Sequence, residues 1–284
     1  MADFGTRSES LSRRFRAYVG ACHAEPSAAV TVVTTALAVA AGRGSGAAWV
    51  AAAFLSGQLS IGWSNDWIDA DRDRRVARRD KPVARGELPP EALRRAALAA
   101  VTACVPLSLA MGVRAGLLHL VAVAGGWAYN ARLKSSPLSW APYAFAFGAI
   151  PSIVTLGLPG HPWAPLWATA AGALLGVGAH LANVLPDLAD DAETGVRGLP
   201  HLLGARGSGA LCGVLLLAAT VLLVHGPRGG PGALGEVVLV VAGVLTGGGL
   251  TLARRPGSRA AFRAAIGVAA VDVALLLLRS SSLT

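Results

Sequence analysis

The sequence predicts an all-α fold: a polytopic membrane helical bundle of about nine transmembrane helices around a central cavity. Three observations predict it. Hydrophobic residues make up 54% of the 284 residues, charged residues only 14%, and the mean hydropathy is +0.54. A soluble domain carries about 25% charged residues, so the composition belongs to the membrane class. Nine apolar runs are long enough to cross a bilayer, and the basic residues gather in alternate loops between them.

Residues 1–25 form an N-terminal basic interfacial segment. Over 8–22, Arg13, Arg14 and Arg16 alternate with Leu11, Phe15, Tyr18 and Val19, the pattern of an amphipathic helix lying on a membrane surface. The polar, basic start does not read as a cleavable signal peptide. Residues 26–284 read as one transmembrane domain. Its spans fall near 26–42, 47–64, 93–113, 115–133, 138–158, 163–186, 209–226, 233–253 and 260–279. Gly and Pro recur inside these runs, as membrane helices tolerate. Cys22, Cys104 and Cys212 have no metal-ligand spacing and read as small apolar-tolerant residues.

An odd number of spans puts the termini on opposite sides. With the N-terminus inside, only Arg43, Arg114, Arg228 and Arg279 of the 25 basic residues lie outside. The opposite orientation inverts that ratio, so the N-terminus is expected to be cytoplasmic in a multi-pass protein of the cell membrane. The net charge of +9 then belongs to membrane topology, and no nucleic-acid partner is expected.

The acidic residues follow a different logic. Seven of the ten aspartates lie in two clusters, Asp66–Asp73 where the second run ends and Asp187–Asp191 where the sixth ends. Both are expected on the cytoplasmic side. If the helix continues through the first cluster, Asn65, Asp66, Asp69 and Asp73 share a face at about 100° per residue, while Asp71 points away. Asn183, Asp187, Asp190 and Asp191 share a face in the same way, with Glu193 off it. Like charges this close repel, and a divalent cation removes the conflict. Oxygen-only ligands favour Mg²⁺, and the helix C-termini favour a cation as well. Metals held this way commonly share their coordination with substrate phosphates. Lys81, Arg85, Lys134 and Arg197 lie in the same loops and suit phosphate oxygens; the alternative is that they face anionic headgroups. The arginines of 72–79 read mainly as topology determinants.

The stretch Asn65-Asp66-Trp67-Ile68-Asp69-Ala70-Asp71-Arg72-Asp73 resembles the NDxxDxxxD motif of the UbiA superfamily of intramembrane prenyltransferases. Asp187-Leu188-Ala189-Asp190-Asp191 resembles its second, DxxxD motif. Lys81-Pro82-Val83-Ala84-Arg85-Gly86 is similar to the family's RPxxxG segment, with Lys for Arg. Tyr129-Asn130-Ala131-Arg132-Leu133-Lys134 is similar to YxxxLK. Gly195-Val196-Arg197-Gly198-Leu199-Pro200 is similar to the GxxTLP-like stretch, with Gly198 where Thr is common. The resemblance covers nearly the whole chain.

The resemblance implies Mg²⁺-dependent transfer of an isoprenyl group from an isoprenyl diphosphate to a small acceptor, aromatic in the family's commonest reaction, with release of diphosphate. It implies that Asp66, Asp69, Asp73, Asp187 and Asp191 carry metal, that Asn65 and Asn183 support the site, and that Lys81, Lys134 and Arg197 hold diphosphate. The isoprenyl tail is expected in the apolar bundle. Some relatives are terpene cyclases, in which the substrate's own double bonds capture the cation, and the motifs alone do not separate the two reactions. Trp63, Trp67, Tyr129 and Tyr143 suit either cation stabilisation or an interfacial aromatic belt, with Tyr129 the best candidate because it accompanies Lys134. His180 reads as packed rather than as a cavity residue, and His23 and Glu25 receive no role. A cation transporter would need acids deep in the spans, where only Asp272 lies. The bilayer is the expected environment, and no obligatory protein partner is evident.

Overall fold

The computed structural model describes residues 3–76, 78, 81–193, 195–252 and 260–283. Twelve α-helices and three short 3₁₀ turns make up the regular structure, with no strand among the described residues. The helices are α1 (Asp3–Ala21), α2 (Ala24–Ala40), α3 (Gly46–Ile68), α4 (Ala70–Arg75), α5 (Pro90–Leu109), α6 (Val113–Ala131), α7 (Ala141–Thr155), α8 (Leu166–Val184), α9 (Leu188–Glu193), α10 (Leu199–His225), α11 (Gly232–Leu252) and α12 (Ala260–Leu278).

Nine of these match the nine predicted runs in position. Three are long and apolar enough to cross a membrane: α5, α10 and the stretch Gly232–Gly249 of α11. Shorter apolar helices are α2 and α7. The expectation of nine crossings therefore rests, for the other helices, on their place in the bundle. The main shift in boundary is at α10, which starts at Leu199 rather than near 209. Pro200 occupies its first turn, where a missing N–H costs nothing, and Gly204 kinks the helix with φ 67°. The extra turns precede the apolar run and carried no hydropathy signal.

The long helices pack mostly as antiparallel neighbours, α3 along α5, α7 along α8, α8 along α10 and α11 along α12. Close approach needs small residues. A side chain at Gly176 would collide with the Tyr143 carbonyl, so α7 and α8 meet nearly backbone to backbone. The largest core cluster gathers Leu37, Val50, Phe54, Met111, Ile153, Leu223 and Leu275. It lies toward the start of α3, away from the aspartates at its other end. Arg43 closes that end, donating to the carbonyls of Met111 (2.9 Å), Ile153 and Val154 (both 3.4 Å). Arg279 does similar work, donating to the Pro231 carbonyl at 2.6 Å. Two of the four arginines expected on the outer side thus stitch loops together.

A smaller cluster supports the other end. Ala17 and Ala21 of α1 pack with Ala70, Val83, Leu88 and Leu93, and the Trp63 indole donates to the Tyr18 carbonyl at 2.9 Å. The segment after the first acidic cluster is therefore folded onto the bundle. Arg13, Arg14, Phe15 and Arg16 of α1 stay exposed.

Candidate functional site

The first acidic cluster keeps its helical register across a junction. α3 stops at Ile68, but Asp69 remains in the right-handed helical region (φ −86°, ψ −2°). The Asp69 amide donates to the Asn65 carbonyl at 2.9 Å, and the Asp73 amide to the Asp69 carbonyl at 2.8 Å. The predicted face consequently survives for Asn65, Asp69 and Asp73 but not for Asp66, which does not line the cavity. Asn65, Asp69 and Asp73 line one cavity of about 350 Å³, within the usual range for small-molecule pockets. Asp71 turns out to solvent, its side chain 90% exposed and paired with Arg74 at 3.1 Å.

Asp66 is 1% exposed and sits behind the wall. Lys81 covers it, donating to Oδ1 at 2.6 Å and to His23 Nε2 at 2.9 Å. Oδ2 of Asp66 is buried with no hydrogen-bond partner among the described residues. His23 starts α2 in a left-handed conformation (φ 52°), an uncommon state for a non-glycine residue and one that brings the α1–α2 junction to the cavity. Asn65 donates to Asn130 Oδ1 at 3.2 Å, and Asn130 donates to Ser64 Oγ and the Ile61 carbonyl, both at 2.8 Å. These bonds fasten α3 to α6 beside the acids.

The opposite wall is built on the turn after α6. Lys134, in the 3₁₀ turn Leu133–Ser135, pairs with Asp69 Oδ1, while Arg72 holds Oδ2 at 2.9 Å. Burial pulls the Lys134 ammonium below its ordinary pKa, and the Asp69 carboxylate opposes that shift. Burial, then repulsion from Asp69, raises the Asp73 carboxyl above the usual range. The turn itself is held by α10. A side chain at Gly198 would meet the Lys134 carbonyl at 2.7 Å and Ser139 Oγ at 2.8 Å, so only glycine permits this approach. Beyond the charges the wall is aromatic. Tyr129 and Tyr143 pack edge to face at 5.3 Å, and Tyr143 stacks with Phe147 at 6.5 Å.

The second cluster enters differently from its predicted continuous helix. α8 ends at Val184, a 3₁₀ turn covers Leu185–Asp187, and α9 follows. Pro186 supplies no amide for an unbroken α-helix, which accounts for the change of register. Asn183 and Asp191 line the same cavity as the first cluster. The side chains of Asp187 and Asp190 lie outside the described residues.

The cavity thus joins Asn65, Asp69, Asp73, Lys81, Tyr129, Lys134, Asn183 and Asp191 from five separate parts of the chain. It does not include Arg85 or Arg197. Arg85 is exposed and forms a fork with Glu87 (2.7 and 3.0 Å), two residues away, and Arg197 is exposed in the loop before α10. Trp63 and Trp67 also stay off the wall, engaged with Tyr18 and Trp127. Conversely, Arg72 and Arg78, read as topology determinants, line the cavity, as do His180 and His201. Among the described residues no three His, Cys, Asp or Glu side chains converge as a closed metal cluster. Asp66 and Asp69 are instead balanced by the two lysines. Such an arrangement suits a polyanion held by several cations, with carboxylates behind them for a bridging metal.

Comparison with known proteins follows the same line. Residues 28–274 match the model of the UbiA prenyltransferase family. No curated protein matches the sequence. The fold is similar to the apo structure of a UbiA homolog from Aeropyrum pernix K1, with a TM-score of 0.68, 19% identity, and coverage of 87% of this chain and 97% of that one. It is similar to a UbiA homolog from Archaeoglobus fulgidus bound to GPP and Mg²⁺, with a TM-score of 0.67, 17% identity, and coverage of 93% and 99%. A structure of digeranylgeranylglyceryl phosphate synthase gives a TM-score of 0.64 at 12% identity, covering 94% and 99%.

Proposed function

The chain belongs to the UbiA prenyltransferase family, and on that premise we propose that it transfers an isoprenyl group from an isoprenyl diphosphate to a small aromatic acceptor, with Mg²⁺. The observation that carries this reading is the single cavity in which Asp69, Asp73 and Asp191 meet Lys81 and Lys134 at one end and Tyr129, Tyr143 and Phe147 beyond. The relatives bound to GPP or DMAPP with Mg²⁺ support the donor class.

The residues fit a hard divalent cation. The donors are carboxylate and amide oxygens, and Asp66 Oδ2 is buried without a partner among the described residues. Asp66, Asp69, Asp73, Asp187 and Asp191, with Asn65 and Asn183, would hold it. When bound, Mg²⁺ supplies Lewis-acid stabilisation of the charge that develops on the departing diphosphate. The chain's own groups do the rest. Lys81 and Lys134 release their carboxylates and donate to diphosphate oxygens, with Arg72 and Arg78 beside them. The faces of Tyr129 and Tyr143 stabilise the allylic cation as the C–O bond breaks. The apolar bundle takes the tail and excludes the water that would quench the cation. The acceptor then attacks the cation and loses a proton. The positive-inside charge pattern puts the cavity mouth at the cytoplasmic face of the cell membrane, with α1 on the surface beside it.

The test is product analysis. Purified protein with Mg²⁺ and isoprenyl diphosphates of several lengths, with and without aromatic acceptors, should give a prenylated acceptor by mass spectrometry. A cyclic hydrocarbon or alcohol formed without any acceptor would overturn the transferase reading in favour of cyclisation.

A further inference from the structure

Two of the residues that line the cavity are histidines with a ring nitrogen that nothing among the described residues satisfies. Nδ1 of His180 on α8 and Nε2 of His201 on α10 are both buried without a hydrogen-bond partner among the described residues. The other nitrogen of each ring fixes its tautomer. For His201, the Gly198 amide donates to Nδ1 at 3.2 Å. Nδ1 is therefore the acceptor, and in the neutral ring Nε2 carries the proton. For His180, Nε2 lies 3.0 Å from Ser139 Oγ, which already accepts the Leu199 amide at 2.9 Å. The Ser139 hydroxyl has no acceptor other than His180 Nε2 among the described residues. It donates there, and Nδ1 of His180 carries the proton.

Both unsatisfied atoms are thus N–H donors, held in place by Ser139 and the Gly198 amide. His180 lies among aromatics, its ring centroid 4.8 Å from Tyr143 and 5.8 Å from Tyr129. A buried donor left without an acceptor is costly, and native proteins rarely keep two at one cavity. Neither ring is needed to neutralise diphosphate, for which four side-chain cations among the described residues line the cavity.

We propose that His180 and His201 form a donor pair that binds a lone-pair oxygen on the acceptor: a phenol or phenolate, carbonyl or carboxylate group. This rests on the transferase reading and deepens it, because a purely hydrocarbon cation has no oxygen for either donor to hold. The pair positions the acceptor so that its ring faces the cation formed beside Tyr129 and Tyr143. It also favours oxygenated arenes over hydrocarbon arenes of the same shape.

Binding measurements separate this from the donor-site reading. Wild-type protein in detergent is titrated with 2-naphthol and with 2-methylnaphthalene, and separately with DMAPP plus Mg²⁺, following tryptophan fluorescence. The naphthol should bind roughly tenfold more tightly than the methyl analogue, the ratio expected for loss of one such hydrogen bond. His180→Phe and His201→Leu should each remove most of that preference and leave DMAPP affinity within about twofold. His201→Gln and His180→Asn keep an N–H donor near the original nitrogen and should recover a large part of it. Equal affinity of wild type for the two arenes, or binding of neither, overturns the proposal. So does a matching loss of naphthol and DMAPP affinity in all four variants, which would mark the histidines as diphosphate ligands or as structural. Failure of wild type to bind DMAPP with Mg²⁺ would count against the donor reading instead, while the contrast between the arenes still reads the histidine pair.

Discussion

Replacing Lys81 by Met strips Asp66 of the group that balances its charge. The pair is well buried: the Lys81 side chain is 12% exposed, the Asp66 side chain 1%, and their contact is 2.6 Å. Removing one member of such a pair leaves an uncompensated buried charge, which costs about 3–5 kcal/mol. His23 approaches Asp66 Oδ1 at 3.3 Å and recovers part of this, so about 3 kcal/mol is expected. For a chain of this size that is a fall of roughly 10 °C in Tm. The assay is thermal unfolding in detergent with EDTA, run as a cycle with Asp66→Asn and the double variant. The double variant should recover most of the loss, because it removes both charges. Excess Mg²⁺ should stabilise Lys81→Met more than wild type, since a bound cation replaces the missing ammonium. Additive losses in the cycle, with no extra benefit from Mg²⁺, would refute the pairing of Lys81 with a metal-bearing carboxylate.

Other perturbations test separate parts of the site. Gly198→Ala forces a methyl group against the Lys134 carbonyl and should lower turnover by roughly a hundredfold through misplacement of Lys134, seen as a fall in kcat in steady-state assays. Asp71→Asn should leave turnover within about twofold, whereas Asp69→Asn, two residues earlier on the cavity wall, should abolish detectable product. Arg43→Met removes donors from three carbonyls at the far end and should cost about 1–3 kcal/mol of stability, read as a lowered Tm, without changing the KM for isoprenyl diphosphate.

Much of this organisation was legible from local signals. Hydropathy located nine helices of the bundle, three of them long and apolar enough to cross a membrane, because extended apolar runs leave few alternatives to helix. Helical periodicity sent Asp69 and Asp73 inward and Asp71 outward, and the backbone hydrogen bonds through Asp69 keep that register. The second cluster was less predictable, because Pro186 breaks the α-helix into a 3₁₀ turn and resets the phase of Asp187 onward. Pairings across long sequence separations were not readable. Lys134 stood out through the Tyr129–Lys134 segment, but its pairing with Asp69 did not, because the turn after α6 meets α3 only in the fold. Arg72 and Arg78 were hidden among arginines that the charge rule already explains. Arg85 carried a usable warning, Glu87 two residues on, which holds its guanidinium away from the cavity. His201 gave no signal, since it lies on the early turns of α10 that precede the apolar run.

Diphosphate release reports directly on the metal-dependent ionisation that both acidic clusters are proposed to serve. Purified protein is incubated with DMAPP and an aromatic acceptor, and inorganic diphosphate is followed in excess Mg²⁺, after EDTA, and after Mg²⁺ is restored. The same traces are recorded for Asp66→Ala, Asp187→Ala and the double variant. Release should stop with EDTA, resume with Mg²⁺, and be lost in either single variant as fully as in the double, because both clusters serve one cavity. Release that persists in EDTA, or that survives in the double variant, would contradict that role.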